Sequence, residues 1–335
     1  MKQCLHALYF SFSAMAMFIV SAVSCSSAES KATGSQNETQ TVTESETTNA
    51  RIKFNADSAM AYLKKQVDFG PRVPGTSAHK QCADWLSETL KGFGGVVTDK
   101  IETTQHPVSG KSVAVRNIFA QFNPDATDRM LVVAHYDTRP WADNDPDPAN
   151  HKTPIDGAND GASGVAVALE LARLSGNLPS DKGLDILFVD QEDSGTHESD
   201  ESWCIGSQLW SSKMPYTDRN RPQFGILLDM VGGRGAEFRR EYFSESFARP
   251  INDLVWKAAR RAGYGSRFPD EVGGAINDDH LPILARGIPT IDIIETRAEG
   301  FNPTWHTLED NFKNIDQSTI EAVGDVMTTI IYTDK

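Results

Sequence analysis

The chain has 335 residues, 39% of them hydrophobic, enough to build one sizeable globular core. Asp and Glu number 46 against 32 Lys and Arg, a formal net charge of −14. That balance argues against a nucleic-acid binder, which needs a basic face.

Residues 1–25 read as a targeting segment: Lys2 gives a short positive start, Leu5 to Val23 is apolar, and Ser21-Ala22-Val23-Ser24 leads to Cys25. This resembles a bacterial lipoprotein signal, in which the cysteine is lipidated and becomes the new N-terminus. It implies an exported chain, lipid-anchored to a bacterial membrane and facing the periplasm. Residues 26–50 are rich in Ser, Thr, Glu and Asn and lack any aromatic, so they bury too little apolar surface to fold. They read as a flexible tether spanning roughly 25–30 Å. Residues 51–335 remain as one α/β domain, expected to be a monomer. Its two cysteines, Cys82 and Cys204, could pair after export, but unpaired buried thiols are as good a reading.

Ser58 to Val67 has helical spacing, and Phe69 to Ser77 breaks it with Gly and Pro. Ser77 can cap a second helix that runs to about Lys91, with Cys82, Trp85, Leu86 and Leu90 on one face. Gly94 to Thr103, Ser112 to Phe122 and Arg129 to Tyr136 read as strands. Asp143 to Asp147 is a Pro/Asp-rich loop, read as a mobile rim because its prolines spoil the ligand spacing of a calcium loop. Gly161 to Leu174 is a small-residue helix suited to close packing on a sheet. Leu184 to Val189 is a buried strand, followed by an acidic loop over Ser194 to Ser202 in which His197 reads as solvated. Trp203 to Ser212 is a helix, Phe224 to Val231 a strand, Ala248 to Ala262 a helix, Pro289 to Ile294 a strand and Gln317 to Thr333 a closing helix. Trp141, Trp203 and Trp210 are candidates for pocket wall or core. Strands alternating with helices predict a mixed, mostly parallel central sheet with helices on both faces.

Polar groups gather where these strands end: His135 and Asp137, Glu192 and Asp193, Asp229, then Asp278-Asp279-His280 and Trp305-His306-Thr307. The carboxyl edge of an open α/β sheet is where ligands bind. An acid next to a run of Leu, Ile, Phe and Val is costly to bury without a partner or a metal. Several such acids beside histidines point to a metal or proton-transfer site, with zinc favoured by the histidines.

The order His135-x-Asp137, Asp160 in Asn-Asp-Gly-Ala-Ser-Gly, Glu192-Asp193, Asp229 and His306 resembles the zinc aminopeptidase superfamily. Asp278-Asp279-His280-Leu281-Pro282-Ile283-Leu284, Arg286-Gly287-Ile288-Pro289 and Trp305-His306-Thr307 with Asp310-Asn311 most resemble its glutaminyl cyclase branch, of the animal-like type found in bacteria. The resemblance runs from about Ala59 to the C-terminus and implies an α/β/α sandwich. It implies one zinc per chain on Asp160, Asp193 and His306, although Asp193 stands where that family usually has glutamate. It also implies an acid/base role for Glu192, a proton network through Asp229 and Asp278, and Trp305 against the substrate. The implied substrates are peptides with N-terminal glutamine, cyclised to pyroglutamate with loss of ammonia. A two-zinc aminopeptidase is the alternative, because His135 and Asp229 complete a dinuclear ligand inventory. On this reading His280 is a structural hydrogen-bonder.

Overall fold

A computed structural model describes residues 52–297 and 300–333. The signal and tether readings, residues 1–50, lie outside the described residues.

Six strands form the main sheet: β1 (Val96–Asp99), β4 (Ile118–Phe122), β5 (Asp128–His135), β6 (Lys182–Val189), β7 (Phe224–Asp229) and β8 (Thr290–Ile294). Their spatial order is β1-β4-β6-β5-β7-β8. β6, β5, β7 and β8 are parallel, while β4 and β1 are added antiparallel on one side. A separate hairpin pairs β2 (Glu102–Gln105) with β3 (Ser112–Val115). The chain passes from β5 to β6 on one side and returns to place β7 on the other. That reversal opens a crevice at the carboxyl edge of the parallel strands.

Alternation along β5 divides the core. Met130, Val132 and Ala134 face a large apolar cluster with α1 (Ala56–Val67), α2 (Ser77–Gly92), α3 (Ala162–Leu174), α5 (Tyr242–Ala262) and α7 (Gln317–Thr333). Leu131 and Val133 face a smaller one with Trp210 of α4 (Ile205–Ser212) and Ile283 of α6 (His280–Leu284). The parallel strands are buried on both faces, which explains their near-continuous apolar runs. α3 lies so close to the sheet that a Cβ on Gly164 would overlap the Leu228 carbonyl.

Several expected boundaries change. Thr76, not Ser77, caps α2: its side chain accepts a hydrogen bond from His79 N–H at 3.2 Å. The expected strand Gly94 to Thr103 is two strands, β1 and β2, in different sheets. Ser112 to Phe122 likewise divides into β3 and β4 at Arg116-Asn117, where the Arg116 N–H leaves the ladder to donate to Asp190. The helix expected from Ala248 begins at Tyr242 and kinks at Ala248, two residues before Pro250. Cys82 and Cys204 are free buried thiols.

Candidate active site

The strand-end groups converge on a cavity of ≈ 240 Å³ at the carboxyl edge of the sheet. Asp160, Glu192, Asp193, Asp229, Asp278 and His306 all line it. With His135 and Cys204 they form three clusters, each with donor atoms within 4.8 Å of one another: Asp160, Asp193 and His306; His135, Asp160 and Asp229, which shares Asp160 with the first; and, separately, Glu192, Cys204 and Asp278.

The first cluster has the composition of a divalent-metal site. His306 Nε2 stands 3.2 Å from Asp193 and 3.6 Å from Asp160. Both carboxylate oxygens of Asp193 are buried and accept no hydrogen bond, an arrangement that a cation satisfies and that burial otherwise penalises. Burial and Asp160 push the Asp193 carboxyl up to about 6. Burial would lower His306, but Asp193, Asp143 and Asp160 override it and raise the imidazole to about 9. Asp193 and His306 thus hold protons tightly in the bare chain, while Asp160, which burial would raise, is kept below its ordinary value by His135 and His306. A cation such as zinc supplies the positive charge this cluster draws from protons and imidazoles.

Each of these side chains is held from behind. Asp137 accepts the N–H groups of Glu192 (3.1 Å) and Asp193 (3.2 Å) on its two oxygens. Asp310 does the same for Asn159 (2.7 Å) and Asp160 (3.2 Å). Asp143 lies 3.3 Å from His306 Nδ1, so the imidazole presents Nε2 to the cluster. Arg139 binds Asp143 with two nitrogens and donates to the carbonyls of Asp193 and Gly195. Its guanidinium lies 4.6 Å from the Trp203 ring, which is parallel to His306. Trp305 stacks on the same imidazole at 3.8 Å and borders the cavity.

The Asp143 to Asp147 loop is therefore no mobile rim. Asp145 accepts from Asp147 N–H and Asn150 on one oxygen and from Leu308 N–H on the other, tying the loop to the His306 segment. His197 stays largely exposed at the mouth. Trp141 is half-exposed and Trp210 is core. His280 is buried against Glu241 at 3.2 Å and joins none of the clusters.

Glu192 is buried, and burial pushes its proton affinity well above the ordinary value, with Asp278 and Asp193 adding and His135 opposing. Burial likewise raises Asp278 well above its ordinary range, with Asp229 and Asp279 adding. Asp229 is raised by burial while His135 Nε2, 3.1 Å away, pulls it down. Behind them Asp292, wholly buried within β8, has no hydrogen-bond partner on either carboxylate oxygen, and burial, with Asp278 and Asp229 adding, pushes its proton affinity well above the ordinary value. Asp292 escaped sequence reasoning, yet it sits inside an apolar strand as Asp229 does.

Among the described residues, five other than glycine have positive φ. Met230 (+45°) and His306 (+56°) line this cavity, and Gln191 (+59°) and Cys204 (+57°) are chain neighbours of Glu192 and Trp203, which also line it. Such conformations are costly and persist where surrounding structure over-determines them, as at binding and catalytic sites.

The sequence profile of peptidase family M28 matches residues 117–331. The chain is similar to Bacteroides thetaiotaomicron glutaminyl cyclase, solved bound to N-acetylhistamine: 49% identity, 85% of this chain and 99% of that chain covered, TM-score 0.81. It is similar to a Zn-dependent exopeptidase from Parabacteroides distasonis, with 46% identity, 85% and 100% coverage and a TM-score of 0.81. Bovine glutaminyl-peptide cyclotransferase is 28% identical over 295 residues, 78% of this chain and 77% of that protein.

Proposed function

The chain belongs to peptidase family M28, and we infer that it is a zinc-dependent glutaminyl-peptide cyclotransferase. It converts the N-terminal glutamine of peptides and proteins to pyroglutamate and releases ammonia. The observation that carries this reading is near full-length similarity to a glutaminyl cyclase, joined to a buried glutamate, Glu192, beside the Asp160, Asp193 and His306 cluster.

Asp160, Asp193 and His306 would hold the zinc. When bound, it supplies Lewis-acid polarisation of the glutamine side-chain carbonyl. The substrate's α-amine is the nucleophile, so no protein nucleophile is required. Glu192 accepts a proton from that amine as its nitrogen bonds to the δ-carbon. It returns the proton to the amide nitrogen as that C–N bond breaks and ammonia leaves. The raised proton affinity of Glu192 suits a group that must both accept and deliver a proton near neutral pH. Asp278 and Asp229 keep protons available next to it and hold negative charge away from full ionisation. Trp305, stacked against His306, gives the substrate a flat apolar wall. The cavity holds the amine and the amide together, which supplies the orientation that five-ring closure requires.

One observation favours a second reading. His135, Asp160 and Asp229 form a preassembled cluster that shares Asp160 with the first, as a two-zinc aminopeptidase would use it. Gln-β-naphthylamide and Leu-β-naphthylamide separate the two. Cyclisation yields ammonia from the glutamine compound with the naphthylamide bond intact. Free naphthylamine from the leucine compound would replace this reading with peptidase action.

A further inference from the structure

Cys204 has no part in the scheme above, yet its side chain lies against the group given the proton transfer. We propose that the Cys204 thiol is a positioning residue, donating its hydrogen to Oε1 of Glu192 and holding that carboxylate toward the substrate amine. The proposal deepens the preceding reading and rests on Glu192 as the base.

Sγ of Cys204 lies 3.5 Å from Oε1 of Glu192. Among the described residues this is the one hydrogen bond made to that carboxylate. Oε2 has His135 Nδ1 at 3.9 Å, too far for a bond. Glutamate has three rotatable side-chain bonds, so a carboxylate without a donor would sample several directions in the cavity.

The thiol is placed firmly. Cys204 occupies the left-handed region at φ +57°, and its N–H donates to the Glu192 carbonyl at 3.0 Å. Ile205 N–H donates to Gln191 at 3.1 Å, and Gly206 packs so tightly that a Cβ there would overlap the Asp190 carbonyl. The start of α4 is thus locked to the turn carrying Glu192 at three successive residues. Burial, Asp279 and Glu192 keep the thiol protonated, so it is a donor.

A neutral thiol can orient the carboxylate without placing a further charge beside it.

The test uses the full chain as Cys204→Ala, Cys204→Ser and Glu192→Gln variants. Loss of a single hydrogen bond that orients a catalytic group is expected to lower kcat about tenfold in Cys204→Ala, with KM and zinc content unchanged. Cys204→Ser keeps a donor and should recover to within about threefold of the unsubstituted chain. Equal kcat in the Ala and Ser variants, or a loss in Cys204→Ala that comes with lost zinc, would overturn the proposal in favour of packing. The contact itself is read from the S–H infrared band obtained by subtracting the Cys204→Ala spectrum. That band should move in Glu192→Gln, and a band that stays in place shows that the thiol does not bond Glu192. Retained turnover in Glu192→Gln would instead remove the base assignment, a failure told apart from a lost contact by the same band.

Discussion

Asp137 and Asp310 each spend both carboxylate oxygens on two successive backbone N–H groups, and those groups belong to Glu192-Asp193 and Asn159-Asp160. A carboxylate accepts on both oxygens, whereas an amide accepts on one and turns a donor toward the second N–H. Asp310→Asn therefore loosens the segment that carries Asp160 and leaves the volume unchanged. We predict zinc affinity weaker by about 10–100-fold in this variant, measured by competition with a chromophoric chelator. Unchanged affinity would show that Asp160 needs no such support. Glu192, Asp193 and Asp229 were legible in the sequence, because an acid at the end of an apolar strand has few inexpensive fates, whereas Asp160 and His306 were marked by the family resemblance. The clamps were not: Asp310 stands about 150 positions from the backbone it holds, and no local pattern connects them. Asp143 was misjudged for the same reason, since a Pro/Asp-rich loop looks mobile until its partner His306 is known.

At the level of elements, periodicity located the parallel strands well because burial on both faces leaves unbroken apolar runs at β5, β6 and β7. It failed at the sheet margin. β1 and β2 are half-exposed, as is most of β3, and what divides β1 from β2 and β3 from β4 is a change of hydrogen-bonding partner, invisible to a pattern of apolar residues. The small-residue run of α3 was readable as a helix made for close approach, and Gly164 shows why it is small. Alanine there would gain about 1 kcal/mol of helix propensity. It would also drive a Cβ into the Leu228 carbonyl, a backbone atom of a central strand that cannot rotate aside. The clash wins: Gly164→Ala is predicted to destabilise by about 3 kcal/mol or more, read as a lower denaturation midpoint in urea. Stability equal to the unsubstituted chain would mean that α3 can slide away from the sheet.

Across the whole molecule the topology brings Asp160, Glu192, Asp193, Asp229, Asp278, Asp279 and Asp292 to one end, while the opposite edge carries ordinary pairs such as Arg129 with Asp185. Such crowding makes stability depend on pH and on metal together. In the metal-free chain, burial and like charges hold Asp193 at about 6, Asp279 at about 7 and Asp310 at about 7. Unfolded aspartates titrate near 3.9, so across this range the folded chain binds more protons than the unfolded one. Its stability therefore falls as pH rises from about 4 to 7. His306 acts in the same direction: its imidazolium is favoured by Asp193 and Asp143, and that favour is lost as pH climbs from about 6.5 through about 9. Zinc reverses the trend at its own ligands, because it takes them deprotonated and binds more tightly as protons leave. The gap in Tm between zinc-loaded and chelator-treated protein should then widen steadily from pH 5 to pH 9. A constant or narrowing gap would mean that the carboxyl cluster is neutralised by something other than a cation on Asp160, Asp193 and His306.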